Sequence, residues 1–174
     1  MLLLNLSRIR TAREHFDEVY PTGSLATKQE DFSVAAPVIL AFDVDKDKDQ
    51  YRLAGRVETM LELPCGRCLE PFRWPVDALF DLRYQPRGED SGEGEREIRE
   101  DDLTTAFYED ETIDLAQLMR EQFYLSLPMK PLCDPECKGL CPQCGTNLNR
   151  GRCACQAVWT DPRLAVLKQF RTKN

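Results

Sequence analysis

Eight cysteines carry the strongest chemical signal in this chain of 174 residues. They fall in four close pairs, which are Cys65 and Cys68, Cys133 and Cys137, Cys141 and Cys144, and Cys153 and Cys155. Close pairs of thiolates are typical of zinc knuckles, whereas disulfides prefer wider separations, and a chain of this length can bury a core without covalent cross-links. The sequence therefore predicts two structural Zn²⁺ ions per chain, each held by four cysteines.

Spacing alone leaves two ways to divide the cysteines between two ions. Cys141-Pro-Gln-Cys144 predicts a tight turn in which Gly145 supplies a positive φ, and a second pair follows closely enough to reach the same ion. The first grouping therefore consists of Cys141, Cys144, Cys153 and Cys155 at one site and, by elimination, Cys65, Cys68, Cys133 and Cys137 at the other. The rival grouping consists of Cys133, Cys137, Cys141 and Cys144 at one site and Cys65, Cys68, Cys153 and Cys155 at the other. We favour the first grouping.

The remaining chemistry of the sequence does not indicate an enzyme. Cys65-Gly-Arg-Cys68 has the spacing of a redox dithiol, but Pro71 and Pro75 follow within a strand pattern, so no helix is predicted to lower a thiol pKa. The chain has one histidine, His15, in a charged stretch that we expect at the surface. It has neither a glycine-rich phosphate loop nor a nucleophile elbow. We predict a non-catalytic protein.

Charge and hydropathy bear on location and partners. The start of the chain lacks the apolar run and cleavage site of an export signal, and no run is long enough to span a bilayer, so we expect a cytoplasmic protein with reduced thiols and no membrane contact. The net charge of −7 is uneven, because residues 86–111 hold eleven acids against three arginines, whereas residues 128–174 hold eight bases against three acids. Four basic residues beside the cysteines are candidate phosphate ligands: Lys130, Lys138, Arg150 and Arg152.

Three stretches of alternating hydrophobicity predict the scaffold that positions these residues. Apolar residues recur at every second position over 34–44, 51–63 and 72–84, and Leu2, Leu4 and Leu6 suggest a further strand. The polar stretch 45–50 joins the first two strands, so an antiparallel meander is the economical topology. The fold class predicted is α+β, an antiparallel β meander with a packed helix and a C-terminal module that resembles a zinc ribbon.

The second half of the chain changes from strand to helix. Apolar residues at helical spacing follow Asp114, which is placed as the N-cap with Gln117 in capping-box position, and Pro128 ends the helix. A last short helix is predicted after Asp161-Pro162. We therefore expect a sheet with a Cys-x-x-Cys hairpin tip over 1–85, a flexible acidic loop over 86–111, and a helix with the zinc module over 112–174, packed on the sheet as one domain.

Two cysteine-containing motifs closely resemble the YceD-like family of bacteria and plastids. One motif runs from Leu127 to Asn149 and continues with Cys153-Ala-Cys155 and Asp161-Pro-Arg-Leu-Ala165, and the other is Cys65-Gly-Arg-Cys68-Leu-Glu-Pro71. The resemblance implies a role in accumulation of the large-subunit (23S) ribosomal RNA, and hence in ribosome biogenesis. It implies no catalytic residues.

The resemblance and the residues together suggest the partners. A zinc-stabilised module whose basic side chains contact phosphate would bind a ribosomal RNA precursor, ribosome assembly proteins, or both. A second reading is a zinc-dependent adaptor that binds an assembly factor or a nuclease through protein contacts alone. A third reading, a thiol oxidoreductase, requires one cysteine pair free of metal.

Overall fold

The computed structural model describes residues 2–25, 31–86 and 105–155. Within these ranges the chain is mostly β-sheet with one α-helix, which is the α+β class predicted from the sequence. The elements are β1 (Leu3–Asn5), β2 (Arg13–Tyr20), β3 (Ser33–Val34), β4 (Val38–Asp47), β5 (Gln50–Pro64), β6 (Pro71–Pro86), β7 (Thr105–Tyr108), β8 (Thr112–Asp114) and α1 (Leu115–Ser126).

The strands form two sheets. The larger has the order β2-β4-β5-β6-β7, with β3 also paired to β5, and the smaller joins β1 to β8. Every pairing is antiparallel except that of β6 with β7, which is parallel. The predicted meander is therefore confirmed in β4, β5 and β6. The longest of its hairpins, β5 to β6, carries Cys65 and Cys68 at its tip.

The three alternating stripes face one core, as predicted. Their buried members are Val38, Leu40, Phe42, Val44, Tyr51, Leu53, Val57, Leu61, Leu63, Val76, Phe80 and Tyr84. Strand β4 leaves no space for a side chain at Gly55 of β5, because a Cβ atom there would lie 2.3 Å from the carbonyl oxygen of Ala41. A side chain at this position would force the two strands apart.

The first predicted stripe is not one strand. The pairing breaks at residues 35–37, because Pro37 lacks an N–H and β4 begins only after it. Strand β2 was not predicted at all, since only Phe16 and Tyr20 face the core and its other side chains are charged or exposed. Phe16 stacks on Phe42 at 5.1 Å between ring centroids, and His15 is exposed, as expected.

Helix α1 begins and ends where the sequence predicts. The Asp114 carboxylate accepts hydrogen bonds from the N–H groups of Ala116 and Gln117, at 2.9 and 3.1 Å. The Gln117 side chain donates to Glu121 instead of returning to the cap, so only half of the capping box forms. The helix ends at Ser126, whose carbonyl accepts a hydrogen bond from the Trp74 indole at 3.1 Å. This bond fixes the start of the segment that leads to Cys133.

The predicted acidic loop ends earlier than expected. Thr105–Tyr108 form β7 inside the segment 86–111, because Ala106 and Tyr108 pack against the core and Tyr108 contacts the Tyr51 ring at 5.6 Å. Residues 87–104 of the predicted loop and the predicted helix after Asp161 lie outside the described residues. Across the described ranges, no helix has the length and apolar character needed to cross a membrane.

Candidate metal centre

The structure gathers the eight cysteines into two groups of four. The hairpin cluster consists of Cys65, Cys68, Cys133 and Cys137, and the terminal cluster consists of Cys141, Cys144, Cys153 and Cys155. Within each group all four sulfur atoms lie within 4.8 Å of one another, and all eight cysteines are free thiols. This is the first of the two groupings that the spacing allowed.

The hairpin cluster joins parts of the chain that are far apart in sequence. Its first two cysteines lie at the tip of the β5–β6 hairpin, and the other two lie in the segment after α1. The Gly66 N–H donates to the Pro131 carbonyl at 2.7 Å, and the Arg67 guanidinium donates to the carbonyls of Pro135 and Cys137 at 3.1 and 2.8 Å. These bonds hold the segment against the hairpin, so the four sulfurs meet.

Two of the cysteine pairs each form a turn of the same type. In Cys65-Gly-Arg-Cys68 the carbonyl of the first cysteine accepts from Leu69 N–H, and in Cys141-Pro-Gln-Cys144 it accepts from Gly145 N–H, both at 2.9 Å. The residue after each pair has a positive φ, 61° at Leu69 and 71° at Gly145. The expected role of Gly145 is thus confirmed, and a strand rather than a helix follows Cys68, as the sequence pattern predicted.

The terminal cluster is local and more open. Its ligands span residues 141–155, and a short antiparallel bridge between Leu140 and Asn147 closes the turn that carries the first pair. The Cys141 N–H donates to the Thr146 carbonyl at 2.9 Å. Cys144 and Cys155 are exposed, whereas in the hairpin cluster only Cys133 is. All four ligands of this cluster therefore come from one short stretch of the chain, and none comes from the sheet.

The arrangement of sulfurs fits a tetrahedral thiolate site. In the hairpin cluster the Sγ atoms of Cys65 and Cys137 are 3.9 Å apart and those of Cys68 and Cys133 are 3.7 Å apart. Four sulfurs at about 2.3 Å from one zinc ion would be about 3.8 Å apart. Backbone N–H groups of Arg67 and Cys133 both point at the Cys65 sulfur, at 3.4 Å, as donors that would disperse thiolate charge. The residues present therefore fit Zn²⁺.

The thiols of each cluster differ widely in pKa. Burial opposes ionisation of Cys65, but backbone N–H donors outweigh it and lower its pKa to about 6, while burial and the neighbouring sulfurs raise the pKa of Cys133 to about 12. In the terminal cluster a hydrogen bond with Thr146 lowers the pKa of Cys144 to about 6, and the neighbouring Cys144 sulfur raises that of Cys155 to about 12. Four thiolates thus need a cation, and loading one must release protons.

The four predicted phosphate ligands are all exposed, but they are not equivalent. Lys138 and Arg152 line the same recess of about 410 Å³, with Pro142 and Leu148 in its wall. Three cysteines of the terminal cluster also line this recess: Cys141, Cys153 and Cys155. Arg150 instead pairs with Glu70 of the hairpin tip at 2.7 Å. Lys130 lies apart, in the segment between α1 and Cys133. The structure therefore brings two of the four together.

Three residues that support the clusters were not assigned this role from the sequence. The Arg67 guanidinium ties the hairpin tip to the segment after α1, the Thr146 hydroxyl lies 3.1 Å from the Cys144 sulfur, and the Asn149 amide lies 3.2 Å from the Cys137 sulfur. For Arg67 and Thr146 the available signal was a donor side chain inside or just after a Cys-x-x-Cys turn, whereas the contact of Asn149 with the other cluster had no local signal.

Comparison with known proteins finds similar proteins in plants and in a bacterium. A 30% identical relative in Zea mays, named large ribosomal RNA subunit accumulation protein YCED homolog 1, chloroplastic, aligns with 69% of this chain and 49% of its own length. The protein of the same name in Arabidopsis thaliana is 30% identical over 81% of this chain and 50% of its own. An uncharacterised protein of Bacillus subtilis is 27% identical over 89% of this chain and 86% of its own.

The chain spans about half the length of the two plant relatives. No solved structure matches. The family model described as large ribosomal RNA subunit accumulation protein YceD matches residues 53–171, which include both cysteine clusters. Since that match covers more than half of the chain, the protein belongs to the YceD family.

Proposed function

We propose that this protein is a non-catalytic ribosome biogenesis factor that supports accumulation of large-subunit ribosomal RNA through a zinc-stabilised module. The observation that carries the proposal is membership of the YceD family, whose name describes that role. The plant relatives carry the same words in their names. The proposal requires no catalytic site.

Zinc supplies the structural part of the proposal. A Zn²⁺ ion in each cluster would cross-link the four cysteines of that cluster. The ion of the hairpin cluster would thereby stabilise the segment after α1 on the hairpin tip. Metal analysis of the reduced, purified protein should give about two zinc ions per chain. Cys141→Ser should remove one ion and leave the hairpin cluster loaded. A metal-free protein with a stable disulfide between Cys65 and Cys68 would contradict the proposal and favour the oxidoreductase.

The recess beside the terminal cluster is the proposed contact with RNA. Lys138 and Arg152 are exposed cations on its rim, and Pro142 and Leu148 give it an apolar wall. Cations next to an apolar surface suit the phosphate and base of an unpaired nucleotide. The Zn²⁺ with four thiolates would carry a charge of about −2 at the same place, so the two cations have to offset that charge as well.

The role in ribosome biogenesis is tested first in cells. Depletion of the protein should lower large-subunit ribosomal RNA and free large subunits relative to small ones, measured from ribosome profiles. Normal subunit ratios under every growth condition would contradict the assignment, whatever the protein binds.

Direct contact with RNA is tested with charge-neutral variants. The variant Lys138→Gln/Arg152→Gln should bind large-subunit precursor RNA more weakly and with a smaller salt dependence, because each lost phosphate contact reduces counterion release. Arg150→Gln removes one positive charge from a residue already paired with Glu70, so it is the matched control for Arg152→Gln alone and should have a smaller effect than that single change. Equal effects from all positions would indicate only nonspecific attraction.

The second candidate is the adaptor that binds an assembly factor or a nuclease by protein contacts. The overall net charge of −7 favours it, since RNA would have to bind against that charge. If the Lys138→Gln/Arg152→Gln variant binds RNA normally but fails to restore subunit levels in depleted cells, the recess contacts a protein, and the adaptor is the better description.

A further inference from the structure

One side chain joins the two cysteine clusters. Asn149 lies in the loop between the two ligand pairs of the terminal cluster, yet its Nδ2 atom donates to the Sγ atom of Cys137 in the hairpin cluster at 3.2 Å. Its Oδ1 atom accepts from the Lys138 N–H at 2.7 Å. The Asn149 N–H in turn donates to the Asn147 side chain at 2.9 Å, which holds the backbone of the loop. Two hydrogen bonds therefore hold the side-chain amide, and a third holds the backbone of the same residue.

The partners of Asn149 determine which way its amide faces. A backbone N–H can only donate, so the atom that faces Lys138 must be the oxygen. The NH₂ group is left to face the Cys137 sulfur. A thiolate accepts such a hydrogen bond better than a neutral thiol does, since hydrogen bonds to an ionised acceptor are the stronger ones. The amide thus holds a hydrogen-bond donor against one of the four sulfur atoms of the hairpin cluster.

The backbone between the clusters leaves little room for independent movement. Only three residues separate Cys137 from Cys141. The Leu148 N–H donates to the Gly139 carbonyl at 2.9 Å, which places the end of the terminal loop beside this short connection. The Leu140 N–H donates to the Arg67 carbonyl at 3.1 Å, which ties the same connection to the hairpin tip. Order in the terminal loop is therefore transmitted directly to Cys137.

We propose that Asn149 is a positioning residue that couples the two metal sites. An ion at the terminal cluster closes the loop that contains Asn149, holds its amide against the Cys137 sulfur, and so raises the affinity of the hairpin cluster for its own ion. The coupling is reciprocal, because a linkage between two binding equilibria acts equally in both directions. This inference rests on the proposed occupancy of both clusters by zinc.

The test uses Co²⁺ as the probe, in the full chain, with a competing chelator. The Gly66 and Gly145 amide resonances in NMR spectra report occupancy of the hairpin and terminal clusters separately. Asn149→Ala should weaken Co²⁺ binding at the hairpin cluster by about tenfold, as expected when a partner of a metal ligand is lost. Emptying the terminal cluster with Cys144→Ser/Cys155→Ser should weaken it to a similar extent.

Combining the two changes separates coupling from local support. If Asn149 transmits the effect of the terminal ion, adding Asn149→Ala to the Cys144→Ser/Cys155→Ser variant should cause little further loss. The sulfur-to-cobalt charge-transfer band should move to lower energy in Asn149→Ala, because the Cys137 sulfur loses a hydrogen bond. Asn149→Asp keeps an oxygen for Lys138 but has no donor for the sulfur, so it should share the loss. Gly151→Ala lies in the same loop, has space for a methyl group and should change nothing.

Three results would overturn the coupling. They are full independence of the two sites in the unmodified protein, an equal effect of Asn149→Ala with and without the terminal cluster, and an unchanged hairpin affinity in both Asn149 variants. In each of these cases two bound ions per chain would leave the proposed zinc module standing. Failure of both clusters to bind Co²⁺ or Zn²⁺ would overturn the zinc module and the coupling together.

Discussion

The two cysteine clusters use the same knuckle turn for different purposes. The hairpin cluster lies between the tip of a long hairpin and the segment after α1, and three of its four cysteines are buried. The terminal cluster takes all its ligands from one stretch of fifteen residues, 141–155, and two of its cysteines are exposed. A thiolate site that joins distant segments stabilises the whole fold, whereas one that joins neighbours organises only its own loop.

The largest expected effect follows directly from this difference. Cys65→Ser should reduce the free energy of unfolding by more than about 4 kcal/mol, because it breaks a buried cross-link between the sheet and the segment after α1. Cys144→Ser is the matched change in the terminal cluster and should cost no more than about 1.4 kcal/mol, the equivalent of the tenfold loss of hairpin affinity that the coupling predicts. Denaturant titrations of both variants give the comparison. Equal losses of stability would mean that the terminal cluster also supports the sheet.

Metal removal should follow the exposure of the sulfurs. A chelator should extract the terminal ion first, since Cys144 and Cys155 are exposed while Cys65 is 0% exposed. Zinc release followed with a colorimetric indicator should show two phases, and Cys144→Ser should abolish the fast one. Both phases should accelerate as the pH falls, because protons compete with the metal for the thiolates. Loss of the slow phase in Cys144→Ser would reverse the assignment.

Three glycines differ in how tightly they are packed: Gly139 lies in the connection between the clusters, and Gly145 and Gly151 lie within the stretch that holds the terminal cluster. Gly139→Ala should cost about 2 kcal/mol, because φ is +73° and the new methyl group would lie 3.0 Å from the Arg67 carbonyl oxygen. Gly145→Ala has a φ of +71° but open space, so it should cost about 1 kcal/mol. Gly151→Ala has neither constraint and should stay within about 0.5 kcal/mol. Thermal unfolding of the zinc-loaded proteins tests the order, and a Gly139→Ala variant as stable as Gly151→Ala would contradict it.

The smallest expected effect concerns the ion pair between the terminal module and the hairpin tip. Arg150 and Glu70 have exposed side chains, at 75% and 37%, so their interaction should contribute less than about 1 kcal/mol. A double-mutant cycle with Arg150→Gln and Glu70→Gln measures it. A larger coupling energy would mean that the terminal module is docked by charge and not by its hydrogen bonds with residues 67 and 137.

Sequence patterns predicted the parts of the fold in which local and tertiary preferences agree. The alternation over 51–63 and 72–84 became β5 and β6, since a strand with one apolar face has only one register that buries it. Asp114 caps α1 because a side-chain oxygen at that position satisfies free N–H groups whatever the helix packs on. By contrast, β2 gave almost no signal, because an edge strand with one exposed face needs few apolar residues.

In the candidate site, too, the sequence predicted the features that neighbouring residues form and not those that distant residues form. The cysteine types and their pairing, with Gly145 after the second knuckle, follow from the sequence because a metal ligand turn is built by adjacent residues. Spacing could not decide which pairs share an ion, since several pairs lie within reach in an unfolded chain. Nor could it indicate that Arg150 is paired with Glu70 while Lys138 and Arg152 share a recess.

The sequence by itself determined the chemistry of this protein: eight soft ligands in pairs, a half-buried meander, one capped helix and membership of the YceD family. Only the tertiary structure decided how that chemistry is connected. The bond from Gly66 to Pro131 and those from Arg67 to the carbonyls of residues 135 and 137 bring the segment after α1 onto the hairpin tip. These bonds join residues more than sixty positions apart, so no local sequence pattern predicts them. The division of the cysteines and the position of Asn149 therefore depend on how the sheet and the helix pack.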